Sequence, residues 1–324
     1  MLQQINIQNM QLNNGTFLTK IPLFYQVFGQ PIGNSPVVLV NHALTGNSNV
    51  AGENGWWNDL IGENKTIDTS YFTILAINIP GNGFDKKNEN LIENYKDFTT
   101  KDIANQFWKA LFQLNINTLF AVIGGSLGGA IAWEMANLYP TKIKNLIPVA
   151  ANYISTDWVI ANVLVQDNFL NNSLNPIQDA RIHAMLLYRT PESFQQKFDR
   201  KKQTENQFQI ESWLVNHGEK LKNRFQLTSY KLMNHLLKTI DVTFENLPKI
   251  QSNIHLIAVD TDYLFTANEI KKTFKKLKPL KENVFYNEIK SIHGHDAFLI
   301  EFEQLNAFLT PIFNTQKQLN YVNN

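Results

Sequence analysis

A serine flanked by glycines, at the junction of a predicted strand and a predicted helix, constrains this chain more than any other feature. The apolar run at residues 119–123 predicts a buried strand, and the helix-like run at residues 130–139 stops before Pro140. Between them lies Gly124-Gly125-Ser126-Leu127-Gly128-Gly129, which fits the Gly-x-Ser-x-Gly pattern of a nucleophile elbow. The glycines remove Cβ atoms that would clash with a sharp turn, and the free N–H groups of the helix N-terminus favour developing negative charge. We therefore interpret Ser126 as a candidate nucleophile.

Composition narrows the class of protein. The 324 residues, with 44% hydrophobic side chains and 22 Phe, suffice for one large α/β domain or one domain with an inserted cap. A net charge of +1 does not favour a nucleic-acid partner or an anionic membrane surface. Because there is no cysteine, disulfides, thiolate zinc sites and a cysteine nucleophile are excluded. We recognise no signal peptide, no membrane-spanning run and no metal site, and expect a cytoplasmic protein.

Strand and helix patterns alternate along most of the chain. Short runs within residues 5–28, broken by a turn-prone segment at residues 13–15, predict an antiparallel start to a sheet. Periodic apolar positions predict a helix over residues 99–115. Further apolar runs, typical of strands buried on both faces, occur at residues 36–41, 72–78, 145–150, 253–259 and 284–289. The alternation predicts an α/β fold with a mostly parallel sheet flanked by helices.

Residues 155–249 differ from the rest. Five amphipathic segments predict helices there, and no buried strand is recognisable. We predict an all-helical cap inserted between two parts of the core, residues 1–154 and 250–324. Since ligands bind outside the carboxyl ends of the strands in open α/β sheets, the cap is expected to roof the site.

A candidate acid and a candidate base follow the last two predicted strands. Asp260 and Asp262 follow residues 253–259, while His293 and His295 come after the next strand. The chain order Ser, acid, His is that of a hydrolase-type triad, in which the histidine takes the serine proton and the carboxylate orients the histidine. We favour Asp262 because Asp260 is close enough to the strand to serve the turn. Spacing alone does not separate the two histidines.

Two backbone N–H groups are candidates for an oxyanion hole. The first is that of Leu127, the residue after the nucleophile, and the second is that of Leu44, in the loop after the third strand. His42 opens the same loop. We expect it to shape the loop by hydrogen bonding rather than to transfer protons.

At this point the sequence resembles the homoserine O-acetyltransferases of the α/β-hydrolase superfamily over most of its length. The segments that carry the resemblance are His42-Ala43-Leu44-Thr45-Gly46, Gly55-Trp56-Trp57, Gly125-Ser126-Leu127-Gly128-Gly129, Asp262-Tyr263-Leu264-Phe265, Gly294-His295-Asp296-Ala297-Phe298-Leu299 and, in the insertion, Ala180-Arg181 with Tyr188-Arg189. The resemblance implies an α/β-hydrolase fold, a triad of Ser126, Asp262 and His295, and an amino-acid substrate held by Arg181 and Asp296. The chemistry agrees, because an arginine suits a carboxylate and a carboxylate suits an ammonium group.

The resemblance further implies ping-pong transfer of an acetyl group from acetyl-CoA to the side-chain hydroxyl of L-homoserine, a step of methionine biosynthesis. Acetyl-CoA would be a co-substrate with no bound cofactor, and the protein would form a homodimer through its cap helices. The alternatives are an esterase or thioesterase with the same triad, a transferase that uses serine or succinyl-CoA, and a non-catalytic binding protein. The chain departs from the family pattern by a shorter segment at residues 170–179 and a different loop at residues 79–84, both of which could alter the acyl-donor entrance.

Overall fold

The computed structural model describes residues 1–322, and from residue 315 onward it describes the backbone only. The strands are β1 (Gln3–Gln11), β2 (Phe17–Gly29), β3 (Val37–Asn41), β4 (Ile61–Gly62), β5 (Ile67–Asp68), β6 (Thr73–Ile77), β7 (Leu119–Gly125), β8 (Ile143–Val149), β9 (Lys202–Thr204), β10 (Gln207–Phe208), β11 (Asn253–Val259) and β12 (Val284–Ile289). The α-helices are α1 (Thr100–Gln113), α2 (Leu127–Leu138), α3 (Asp157–Asn172), α4 (Pro176–Tyr188), α5 (Pro191–Phe198), α6 (Gln209–Lys222), α7 (Leu227–Lys238), α8 (Ala267–Leu277) and α9 (Phe302–Val322).

One eight-stranded sheet organises the described chain, in the order β1-β2-β6-β3-β7-β8-β11-β12. The pairs β1/β2 and β2/β6 are antiparallel, and every pair from β6 to β12 is parallel. The predicted antiparallel start and mostly parallel sheet are thus confirmed. Because parallel strands end at the same edge of a sheet, the loops after β3, β7, β11 and β12 meet there.

The central strands are apolar on both faces because helices cover both sides of the sheet. All residues of β3 and β7 are buried. Neighbouring residues of β3 enter opposite cores: Leu39 packs on the side of Trp108, whereas Val38 and Val40 pack on the side of Phe313. This two-sided burial holds the carboxyl ends of the strands in fixed positions, which is what a site built on their loops requires.

The segment between β8 and β11 contains the five predicted helices, α3 to α7. It also contains a short antiparallel hairpin, β9 with β10, whose first strand is fully exposed. The expectation of a purely helical insertion was therefore incomplete. The hairpin escaped prediction because it is short and polar and lacks the apolar alternation that marks a strand. None of the described helices is long and apolar enough to cross a membrane.

Candidate active site

Ser126 occupies a strained turn between β7 and α2. Its φ of 55° and ψ of −125° lie outside the regions that L-residues ordinarily adopt. The turn is possible because its neighbours are glycines: a Cβ on Gly128 would lie 2.3 Å from the Asn41 carbonyl oxygen, and one on Gly124 would lie 2.5 Å from the Gly128 carbonyl carbon. The predicted reason for these glycines is confirmed. The serine is 4% exposed at the carboxyl edge of the sheet.

His295 and Asp262 form a buried pair on the loops after β12 and β11. The imidazole Nδ1 lies 2.6 Å from Asp262 Oδ2. The other oxygen of this carboxylate, Oδ1, accepts hydrogen bonds from the backbone N–H groups of Leu264 at 2.7 Å and Phe265 at 3.0 Å. Since an ionised carboxylate only accepts, His295 Nδ1 is the donor. This leaves Nε2 as the basic nitrogen of a neutral ring.

The pKa of the His295 imidazole is raised above its usual value. Burial by itself lowers this pKa, but the negative charge of Asp262, its hydrogen bond and the charge of Asp296 together outweigh burial. The ring is enclosed by aromatic side chains, with centroid distances of 5.5 Å to Tyr188, 5.9 Å to Phe265 and 5.6 Å to Phe298.

A phenylalanine joins the base to the serine turn. A Cβ on Gly125, the residue before Ser126, would lie 2.4 Å from Cε2 of Phe298. The same ring meets the His295 imidazole edge-on. The elbow and the histidine loop therefore pack against one common side chain, and the structure brings Ser126, Asp262 and His295 to one region.

The two alternative residues serve the loops instead. Asp260 Oδ1 accepts a hydrogen bond from the Ser291 backbone N–H at 3.0 Å, which ties together the loops after β11 and β12. His293 Nδ1 lies 3.1 Å from Ser193 Oγ and 3.4 Å from Arg189 Nη1, and no bond to Asp262 is found among the described residues. The structure therefore brings His295 rather than His293 to the carboxylate.

The loop after β3 forms a tight turn held by His42. The Gly46 N–H donates to the Ala43 carbonyl at 2.8 Å, and His42 Nδ1 lies 2.8 Å from the same oxygen. His42 Nε2 accepts from the Ile79 N–H at 3.0 Å. Nδ1 must therefore carry the proton and the ring is neutral. Burial agrees, because it lowers the pKa of His42 to about 4. The expected loop-shaping contacts are present.

The two predicted oxyanion donors lie where the elbow and this loop adjoin. Leu127 is the first residue of α2 and Leu44 is within the turn held by His42; both are buried. Among the described residues neither N–H has a hydrogen-bond partner in the turns and loops of the fold. Both groups are thus available to stabilise a developing negative charge.

The cap contacts the loops after β3, β11 and β12. Arg224 Nη1 donates to the Thr45 carbonyl at 2.9 Å on the loop after β3. The Trp158 indole N–H donates to the Tyr263 carbonyl beside Asp262. On the histidine loop, the Thr190 hydroxyl donates to the Ile292 carbonyl. The expected roof is therefore fixed to the site by hydrogen bonds from separate parts of the insertion.

Arg181 and Asp296 are both near the histidine but do not pair with each other. The Arg181 guanidinium lies 5.3 Å from the centroid of the Tyr188 ring, which packs on His295. Asp296 Oδ2 instead accepts from Arg189 Nε at 3.0 Å. No role for Arg189 was predicted, because an arginine at a helix end carries no signal of its partner in the sequence. Within the described residues no cluster of three or more His, Asp or Glu could hold a metal ion.

Similarity to known proteins identifies the family of this chain. A family model described as the alpha/beta hydrolase fold matches residues 36–288. A homoserine O-acetyltransferase of Cyclobacterium marinum is 33% identical over an alignment of 331 positions, which spans 94% of this chain and 92% of that protein. The chain belongs to the homoserine O-acetyltransferase family of α/β hydrolases.

Solved structures agree on the fold. The homoserine O-acetyltransferase of Bacillus anthracis superposes with a TM-score of 0.84 at 19% identity, covering 97% of both chains. An acetylester hydrolase of Corynebacterium glutamicum superposes with a TM-score of 0.82 at 16% identity, over 97% of this chain and 96% of that one. A member of the homoserine O-acetyltransferase family is an acyltransferase-type enzyme, yet the same architecture also occurs in a hydrolase. The fold alone therefore does not distinguish transfer from hydrolysis.

Proposed function

We propose that this enzyme transfers an acetyl group from acetyl-CoA to the side-chain hydroxyl of L-homoserine in two steps. The observation that carries the proposal is the buried 2.6 Å contact between His295 and Asp262 at the same sheet edge as the strained Ser126. Relatives named homoserine O-acetyltransferase, at 26–33% identity over most of this chain, support the acceptor and the acyl group.

In the first step Ser126 Oγ attacks the thioester carbonyl. His295 Nε2 takes the serine proton while Asp262 holds the imidazolium. The backbone N–H groups of Leu44 and Leu127 stabilise the tetrahedral oxyanion. The proton then passes to the departing CoA sulfur, and an acetyl-serine remains. Because the donors belong to a turn held by His42 and to the start of α2, they need little reorganisation during the reaction.

In the second step homoserine enters the roofed site. The Arg181 guanidinium faces its carboxylate and Asp296 faces its ammonium group. The acceptor hydroxyl gives its proton to His295 and attacks the acetyl-serine, which restores Ser126. This sequence predicts ping-pong kinetics.

The cap supports transfer over hydrolysis. An acetyl-serine survives until the acceptor arrives only if water is excluded. The hydrogen bonds from Arg224, Trp158 and Thr190 hold the cap against the loops after β3, β11 and β12.

The decisive experiment measures CoA release and product identity together. Acetyl-CoA and succinyl-CoA are each supplied with homoserine, serine or no acceptor, and ester and free acid are quantified. We expect O-acetylhomoserine as the main product of the acetyl-CoA and homoserine pair. Free acetate as the main product in the presence of saturating homoserine would instead assign the enzyme as an esterase or thioesterase.

We also propose that the enzyme forms a homodimer through its cap. Helix α3 exposes the apolar side chains of Trp158, Ile160, Leu164 and Val165, a patch unusual for a solvated helix face. Light scattering should give twice the 37.3 kDa chain mass. Leu164→Glu should yield a monomer, whereas Leu174→Glu, at a fully exposed cap position outside α3, should not. A monomeric wild-type protein would contradict the proposal.

A further inference from the structure

The carboxylate assigned to the acceptor's ammonium group already has a cationic partner. Arg189 Nε lies 3.0 Å from Asp296 Oδ2, and the two side chains are only 21% and 17% exposed. Within the described part of the chain no other cation pairs with Asp296. Asp296 is therefore paired with Arg189, whereas the guanidinium of Arg181 lies over the Tyr188 ring.

The position of Arg189 is fixed by the joint between α4 and the histidine loop. Arg189 follows directly after α4, and its Nη1 lies 3.4 Å from His293 Nδ1. Next to it, Gly294 adopts a φ of 63°, and a Cβ there would lie 2.9 Å from the Tyr188 carbonyl oxygen. This close backbone packing holds the Arg189 backbone next to the histidine loop that carries Asp296.

The Arg189–Asp296 pair lowers the free-energy cost of binding an acceptor that lacks an ammonium group. A site whose buried polar groups are left without partners rejects such an analogue by roughly ten-thousandfold or more, because an unpaired buried charge is costly. Here Asp296 keeps Arg189 as its partner when the acceptor offers no cation. The same guanidinium also repels an incoming ammonium group, since like charges a few ångströms apart oppose each other.

We propose that Arg189 is a specificity-determining residue that extends the acceptor range to hydroxycarboxylic acids without an α-amino group. The inference rests on the proposed acyl transfer. The acceptor carboxylate binds Arg181 and its hydroxyl oxygen attacks the carbonyl of acetyl-Ser126. The new ester C–O bond forms as the bond to Ser126 Oγ breaks. The hydroxyl proton passes to His295 Nε2 and from there to Ser126 Oγ.

The test compares homoserine with 4-hydroxybutanoate, the same molecule without its amino group. With acetyl-CoA as donor, the wild-type ratio of kcat/KM for the two acceptors is expected to be below about a thousandfold in favour of homoserine. A larger ratio contradicts the proposal. Both acceptors are measured on one protein preparation, so incomplete folding cancels from the ratio.

Arg189→Gln removes the cation and should raise the ratio by about tenfold or more in favour of homoserine. Arg189→Lys retains a positive charge and should leave the ratio near the wild-type value. Arg200→Leu, at an exposed position of the cap, is the matched control and should also leave it unchanged. An unchanged or lower ratio in Arg189→Gln would overturn the inference.

The failure of the inference can be told apart from the failure of the proposed function. If no acceptor yields an acetyl ester with the wild-type protein, acyl transfer itself is wrong. If homoserine is acetylated but Arg189→Gln does not shift the ratio, only the role of Arg189 is wrong.

Discussion

His295 and Asp262 are joined by a 2.6 Å contact between Nδ1 and Oδ2, and both side chains are buried. Their pairing depends on β11 and β12 being neighbours in the sheet, since each residue lies on the loop after one of these strands. The carboxylate is in turn oriented by the N–H groups of Leu264 and Phe265. Because Nδ1 donates its proton to the hydrogen bond with Asp262, Nε2 is the nitrogen that can act as base.

The pH dependence of the donor reaction should report this pair. His295 must be neutral to accept the serine proton, and its pKa is raised above the ordinary 6.5 because the charge and hydrogen bond of Asp262, with Asp296, outweigh burial. kcat/KM for acetyl-CoA should therefore rise with pH with an apparent pKa above 6.5. Asp296→Asn removes one raising charge, so the acidic limb should move to lower pH.

Asp260→Asn is the control for this experiment. Asp260 lies on the same loop but is engaged with the Ser291 backbone and does not contribute to the raised pKa of His295. Its pH profile should match that of the wild type. A profile for Asp296→Asn that shifts to higher pH would contradict the electrostatic argument.

Replacing the elbow serine should abolish the covalent step. Ser126→Ala removes the attacking oxygen, and turnover is expected to fall by roughly a thousandfold or more. Labelling by a fluorophosphonate should disappear at the same time. Ser70→Ala, on an exposed loop, should retain both. Near-normal turnover without Ser126 would show that the acyl group passes directly from CoA to the acceptor.

Because α2 packs closely against β3, we expect a methyl group added at Gly128 to destabilise the fold strongly. A Cβ on Gly128 would lie 2.3 Å from the Asn41 oxygen, a backbone atom that cannot move independently. Gly128→Ala should destabilise the fold by about 1–3 kcal/mol, measured as a lower thermal midpoint. In Gly62→Ala the atoms nearest to the new Cβ would belong to the flexible Lys65 side chain, so the midpoint should change little. Equal midpoints for both variants would contradict this packing.

His42 should make the fold sensitive to acid. Its pKa is about 4 in the folded protein because of burial, against an ordinary value of 6.5. The unfolded chain therefore binds the proton more readily, and stability is lost as the pH falls from about 6.5 towards 4. His42→Leu should lower the thermal midpoint at pH 7, because the Ile79 N–H loses its acceptor. The midpoint of this variant should fall less than that of the wild type between pH 7 and 4.

Asn82→Leu separates the loss of a buried hydrogen bond from the loss of the titrating His42 side chain. Asn82 Nδ2 lies 3.4 Å from His42 Nε2 but does not titrate. This variant should be less stable at every pH without a change in pH slope. If His42→Leu retains the full wild-type slope, the acid sensitivity arises from other groups.

The sequence by itself determined the elements and their order. Apolar runs marked the strands because both faces of the sheet are covered, and glycines around Ser126 marked the elbow because only they fit between α2 and the Asn41 carbonyl. The order of serine, acid and histidine followed from the chain. These signals are local, so they can be recognised without coordinates.

Only the tertiary structure decided which side chains meet. His293 and His295 are equivalent by spacing, but only His295 reaches Asp262 once β12 has paired with β11. Arg189 and Asp296 are 107 positions apart in the chain, and their contact depends on how α4 packs on the histidine loop. Such contacts are set by the packing of whole elements, which leaves no periodic trace in the sequence, and they decide which charges lie beside the histidine.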